Sequence, residues 1–191
     1  MSYLDQITSP TLLLDEKICR ANIKRMADKA ARHDMKLVPH FKTAQSRQIG
    51  DWAKEYNITE VTASSIKMAE YLSGQGWVNI HIAFPFNPLE IPKLNKIAEK
   101  QSISVQVINA TTAQMLVDQL EHPVGFFIEI DAGYGRTGVE VSDFGLIEEI
   151  LLIAKKSNKL NFKGFTCTQV TPIISLIFQP YMSRLAMHLV C

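Results

Sequence analysis

Two short segments carry side chains whose types and spacing could do chemistry. The first is KLVPHFKTAQS, residues 36–46, in which Lys42 follows Pro39, His40 and Phe41 just beyond an apolar run. A primary amine partly desolvated among such neighbours would hold more of the neutral form that attacks a carbonyl and closes a Schiff base. The second is IEIDAGYGRTGV, residues 128–139, where Gly133, Gly135 and Gly138 surround Arg136. Glycines let the backbone turn tightly and approach a ligand closely. Arg136 would bring a permanent planar cation to an anionic or phenolate oxygen. Asp131 could orient that arginine or face solvent. Taken singly, each segment also reads as an ordinary connection: a surface lysine in one loop, a glycine-rich turn in the other.

The elements that must position these residues alternate. Short apolar runs predict strands at 11–14, 35–38, 60–63, 79–83, 104–108, 124–130 and 161–167. Segments of helical period between them predict helices at 15–33, 44–56, 65–73, 89–100, 112–120 and 141–156. On the first of these helices Ile18, Ile23, Met26, Ala27 and Ala30 can share a face, and Gly74 and Gly76 mark the end of the third. Strictly alternating strands and helices imply a parallel sheet, because parallel neighbours need a crossover. The run GFFIEI is apolar almost throughout, as in a strand buried on both faces. A doubly wound sheet and a (β/α)8 barrel both satisfy this pattern. The absence of GxGxxG after the first strand and a count of about seven strands favour the barrel, whose active sites lie at the C-terminal ends of its strands. Both chemical segments fall there.

Composition narrows the class. The chain has 191 residues, 47% apolar and 20% charged, and a net charge of +1, so it is globular and gives no electrostatic reason to bind nucleic acid or an anionic membrane. Three dispersed cysteines, Cys19, Cys167 and Cys191, suggest neither a disulfide framework nor a cysteine-rich zinc site. With no signal pattern at the N-terminus and no apolar run of about 18–20 residues, the expectation is a soluble cytoplasmic protein.

Taken together and in order, PTLLLDEKICRANI, LVPHFKTAQS, ITEVTASSIKMAEYLSGQGWVNIHIAFP and EIDAGYGRTGV resemble the pyridoxal-phosphate enzymes built on the alanine racemase N-terminal barrel. Within them the chain is most similar to the D-threonine aldolase and D-serine dehydratase-like group, over about residues 9–167. The resemblance implies that Lys42 forms the Schiff base with pyridoxal 5'-phosphate and that Arg136 sits near the cofactor's phenolic oxygen. It also places His40 and Thr43 in the lysine motif, with His40 near the cofactor. The activity implied is that of a lyase on D-amino acids, by retro-aldol cleavage or β-elimination, in a homodimeric parent whose divalent metal (zinc or manganese) assists. The alternatives are a pyridoxal-phosphate-binding carrier or regulatory protein and an amino-acid racemase.

The same resemblance makes the last residues anomalous. A His-Ala-Gly-His-Thr-Tyr-like stretch belongs after KGF, but residues 168–174 read Thr-Gln-Val-Thr-Pro-Ile-Ile. A codon string for His-Ala-Gly-His-Thr-Tyr-His read one base later encodes those seven residues. The expectation is therefore a partial barrel of six to seven βα units over residues 1–167 and a frameshifted tail over 168–191. The C-terminal β-domain, and with it the metal ligands, would be missing, and the chain would be a truncated, inactive and poorly stable form. The HLVC spacing of His188 and Cys191 would be accidental.

Overall fold

The computed structural model describes residues 3–168. The tail at 169–191, with His188 and Cys191, lies outside the described residues. The described residues form six helices and six strands, which alternate from Arg47 to Asp131. They are α1 (Glu16–Arg32), α2 (Arg47–Lys54), β1 (Glu60–Ala63), α3 (Ile66–Ser73), β2 (Asn79–Pro85) and α4 (Ile91–Ala98). Then follow β3 (Ser102–Val107), α5 (Ala110–Gln119), β4 (Val124–Asp131), the two-residue β5 (Val139–Glu140), α6 (Phe144–Ala154) and β6 (Leu160–Thr166).

Helix starts follow local chemistry. Asp15, Ser65, Asn109 and Asp143 each accept a hydrogen bond from a backbone N–H in the first turn of the helix that follows. Gly76, at φ +81°, carries the chain from α3 towards β2.

All strand pairs are parallel, in the order β1-β2-β3-β4-β6, with the short β5 also against β4. Each long strand thus lies beside its predecessor, with no reversal of order. A doubly wound sheet reverses at a switch point, whereas a barrel winds in one direction. The architecture is an incomplete (β/α)8 barrel.

The strands divide their residues between two faces. Val61, Ala63, Ile80, Ile82, Ile103, Val105, Val107, Phe126, Ile128 and Ile130 pack in one cluster with Ala69 and Leu72 of α3, Leu94 and Ile97 of α4, Leu116 of α5 and Ile150 of α6. Burying each large apolar side chain there stabilises the fold by about 1.5–3 kcal/mol. The intervening positions are mostly polar. Register places Thr62, His81 and Ser104 side by side, then Gln106 beside Phe127, and Glu129 beside Thr166. This second, inner face is polar although largely buried.

Two of the predicted strands do not form. Residues 11–14 have no strand pairing, and Leu12 is 96% exposed. Residues 35–38 reach β1 only through the bond from the Thr62 N–H to the Pro39 carbonyl (2.9 Å), one isolated bridge between His40 and Thr62, and the Lys36–Glu60 ion pair at 2.7 Å. A parallel ladder is held by neighbours, and among the described residues no strand flanks residues 11–14. The predicted shared face of α1 is likewise only half realised. Ile23 and Ala27 pack against the core, while Ile18 and Met26 remain exposed and no residue of α1 is buried.

Candidate functional site

Both chemical segments lie at the C-terminal end of the sheet, the arginine loop leaving β4 and the lysine turn starting where His40 bridges to Thr62 of β1. The chain runs from the His40–Thr62 bridge into a 3-10 turn, Phe41–Thr43, that presents Lys42. Phe41 anchors this turn: its ring is 5% exposed and meets the Trp77 ring edge-on at 6.4 Å. Gly50 makes room for it, since a Cβ there would lie 3.2 Å from the Phe41 ring. The His40 Nδ1 caps the turn by accepting the Lys42 N–H at 3.3 Å, and the Thr43 hydroxyl donates to the His40 carbonyl at 3.1 Å. Burial and then the Lys42 charge push the His40 imidazole below its ordinary range. The Lys42 side chain itself is exposed, so the expected desolvation is not seen; the turn sits on the rim, and its anchor is Phe41 rather than the lysine.

The loop after β4 is held differently. The Asp131 carboxylate accepts the N–H groups of Gly133 and Tyr134 at 2.9 Å and of Gly135 at 3.0 Å. Asp131 therefore clamps the loop backbone rather than contacting the guanidinium. Gly138, at φ +115°, returns the chain so closely that a Cβ would lie 2.6 Å from the Asp131 nitrogen. Arg136 donates to the Thr168 hydroxyl at 2.9 Å and lies 5.7 Å from the Tyr134 ring centre.

Between these segments the inner face supplies groups that the strand runs alone did not single out. Glu129 accepts the Thr137 hydroxyl on one oxygen at 2.8 Å, and its other oxygen has no protein partner. Burial raises its carboxyl above the usual range, against the pull of the Thr137 bond and the Arg136 charge. Gln106 donates to Thr166 across β4 at 3.0 Å, leaving its own oxygen unpartnered. The His81 Nδ1 meets the Ser104 hydroxyl at 2.9 Å, while its Nε2 is unpartnered, as is the Thr62 hydroxyl. Burial, and secondarily His40, lower the His81 imidazole to about 4, so it is neutral near pH 7. Their signal in the sequence is the set of polar residues at alternating positions, Glu60 and Thr62, Asn79 and His81, Ser102, Ser104 and Gln106, and Glu129 and Asp131, which a fully buried strand has no packing reason to carry.

The structure thus joins His40 to Lys42, and the loop that carries Arg136 to Glu129 through Thr137, all at one end of the sheet. The contacts of the Arg136 side chain are with Thr168 and Tyr134, not with Lys42. The N-terminal half of the same inner face borders a concave cavity of about 680 Å³ whose lining includes Lys36, Glu60, Ser104, Phe127 and Lys163. Among the described residues no group of three or more His, Cys, Asp or Glu side chains could hold a metal ion, and no helix is long and apolar enough to cross a membrane.

A singly wound parallel α/β sheet with a lysine turn and a clamped arginine loop at its C-terminal end defines the class: a barrel-type α/β protein with its candidate site at the C-terminal ends of the strands. The chain belongs to the family of the alanine racemase N-terminal domain, whose model matches residues 14–170, and this family is pyridoxal-phosphate-dependent. It is 29% identical over 166 residues to D-threonine aldolase of Arthrobacter sp, covering 84% of this chain and 43% of that enzyme. It is 25% identical over 170 residues to 3-hydroxy-D-aspartate aldolase of Paracoccus denitrificans, covering 86% of this chain and 43% of that enzyme. Among solved structures, D-threonine aldolase from Filomicrobium marinum superposes with a TM-score of 0.77 at 22% identity, over 85% of this chain and 45% of that one. The chain therefore spans less than half the length of the relatives it matches.

Proposed function

We propose that this chain binds pyridoxal 5'-phosphate covalently through Lys42 and is the lysine-bearing part of a lyase acting on D-amino acids. The whole protein would be of the D-threonine aldolase or D-serine dehydratase type and would work as a homodimer. The observation that carries the reading is the placement of Lys42 and Arg136 at the same, C-terminal, end of one parallel sheet, in a family that uses this cofactor.

The residues present fit such a group. A primary amine on an exposed turn is free to react with an aldehyde. A guanidinium beyond β4 suits an oxyanion. Four buried polar atoms on the inner face, Thr62 Oγ1, His81 Nε2, Gln106 Oε1 and Glu129 Oε2, lack partners that a polar ligand or water would supply. When bound, the cofactor supplies an electron sink for the bonds at the substrate's Cα.

The protein's own contribution is positional and electrostatic. The His40 cap fixes the backbone from which the lysine projects. His81 stays neutral near pH 7 and can exchange a hydrogen bond at Nε2 without adding charge. Glu129, buried beside Arg136, holds the Thr137 hydroxyl and offers its second oxygen to a donor. D-Amino acids of the β-hydroxy class are the proposed substrates, and zinc or manganese would assist from residues other than those described.

Titrating the chain with pyridoxal 5'-phosphate tests the attachment. The expected result is a new absorbance band at the violet edge of the visible, absent in Lys42→Ala. An unchanged band in that variant would contradict the reading.

A further inference from the structure

We propose that Asp131 is the positioning residue for Arg136: its carboxylate preorganises the loop so that the guanidinium is set before any cofactor arrives. The proposal rests on the reading that Arg136 serves that cofactor. Asp131 is the last residue of β4, so its Cα is fixed by the sheet. Three successive N–H groups, those of Gly133, Tyr134 and Gly135, converge on its carboxylate, and the Gly135 N–H reaches both oxygens at 3.0 Å. Hydrogen bonds to an ionised acceptor are roughly twice as strong as neutral ones.

The positive φ values of Gly133 and Gly135, +91° and +69°, curl the backbone around the carboxylate. Gly138 then brings the chain back against Asp131 itself. Arg136 directly follows the last clamped amide. On its other side Thr137 is tied to Glu129, two residues before Asp131 on the same strand. Arg136 is therefore bracketed by two tethers rooted in β4, whereas its side chain is held by a hydrogen bond to the Thr168 hydroxyl. Tethering the backbone on both sides removes most of the entropy that ordering the arginine would otherwise cost on binding.

The test uses the full chain with Asp131→Ala and Asp131→Asn. In cofactor-free protein, amide hydrogen exchange at Gly133, Tyr134 and Gly135 should quicken about tenfold in the alanine variant while core amides hold. Affinity for pyridoxal 5'-phosphate should fall about tenfold, but borohydride labelling of Lys42 at saturating cofactor should persist. Asparagine, which retains one acceptor oxygen, should recover part of both losses. A merely structural role would quicken no amide selectively: exchange would rise throughout, and labelling would fall with affinity. Wild-type exchange and affinity in Asp131→Ala, or in Asp131→Asn should the alanine variant not fold, would overturn the proposal. Failure of the wild-type chain to take the cofactor at Lys42 would instead remove the proposed function, with the exchange arm still testing the clamp.

Discussion

The Lys42 turn and the Arg136 loop stand at the same end of one sheet but are fixed by opposite means. The turn hangs from a segment that touches the sheet at one bridge, and an apolar anchor, Phe41, packed on Trp77, holds it. The loop grows from a strand paired on both sides and is gripped by charge-assisted hydrogen bonds to Asp131. The difference suits the two roles proposed. A group that must react covalently gains from an exposed, adjustable backbone, whereas a fixed cation is most useful when its direction is settled beforehand.

The contrast can be broken or sharpened by substitution. The largest effect belongs to Lys42→Ala, which should abolish covalent attachment of pyridoxal 5'-phosphate outright while leaving the far-ultraviolet spectrum unchanged. Next is His81, neighbour of the turn across β1. Its folded value of about 4 lies below the ordinary 6.5, so between those pH values the unfolded chain binds the extra proton. Stability is then full above pH 6.5 and falls as the pH drops towards 4, by about 3 kcal/mol. Urea titrations of His81→Leu should show that acid loss largely removed; an acid limb as steep as the wild type's would assign it elsewhere.

On the loop side, Gly138→Ala must place a Cβ 2.6 Å from the Asp131 nitrogen at φ +115°. It should cost about 1–3 kcal/mol and weaken cofactor binding, read by denaturant unfolding and by titration. The smallest effect is that of Thr137→Val, which removes one tether from Glu129 and should cost about 1 kcal/mol with the fold intact. If Thr137→Val lowered cofactor affinity more than Gly138→Ala, the grip on the loop would lie with Glu129 rather than with Asp131.

Much of this was legible from residues alone, for identifiable reasons. The run 60–63 is a strand with the bounds its pattern predicts, and 79–83, 104–108, 124–130 and 161–167 differ by one or two residues at either end. Their apolar positions face the helices, a local property that periodicity reports. The runs 11–14 and 35–38 have the same local character yet form no ladder, because pairing depends on a neighbour remote in sequence. The lysine and arginine segments stood out through glycine, proline and charge. Glu129 and His81 did not, because each sits singly inside an apolar strand. Reading GFFIEI as buried on both faces concealed that Phe127, Glu129 and Asp131 share the inner face, opposite Phe126, Ile128 and Ile130. The division of labour between a clamp at Asp131 and a cation at Arg136 is a matter of three-dimensional hydrogen bonding, which residue types alone leave open.

The central claim is covalent and is best tested by bond rather than by rate. The 191-residue chain, incubated with pyridoxal 5'-phosphate and reduced with borohydride, should yield on peptide mass mapping one pyridoxyl-bearing peptide, modified at Lys42. Modification at another lysine in its place, or spread evenly over the surface lysines, would contradict the account.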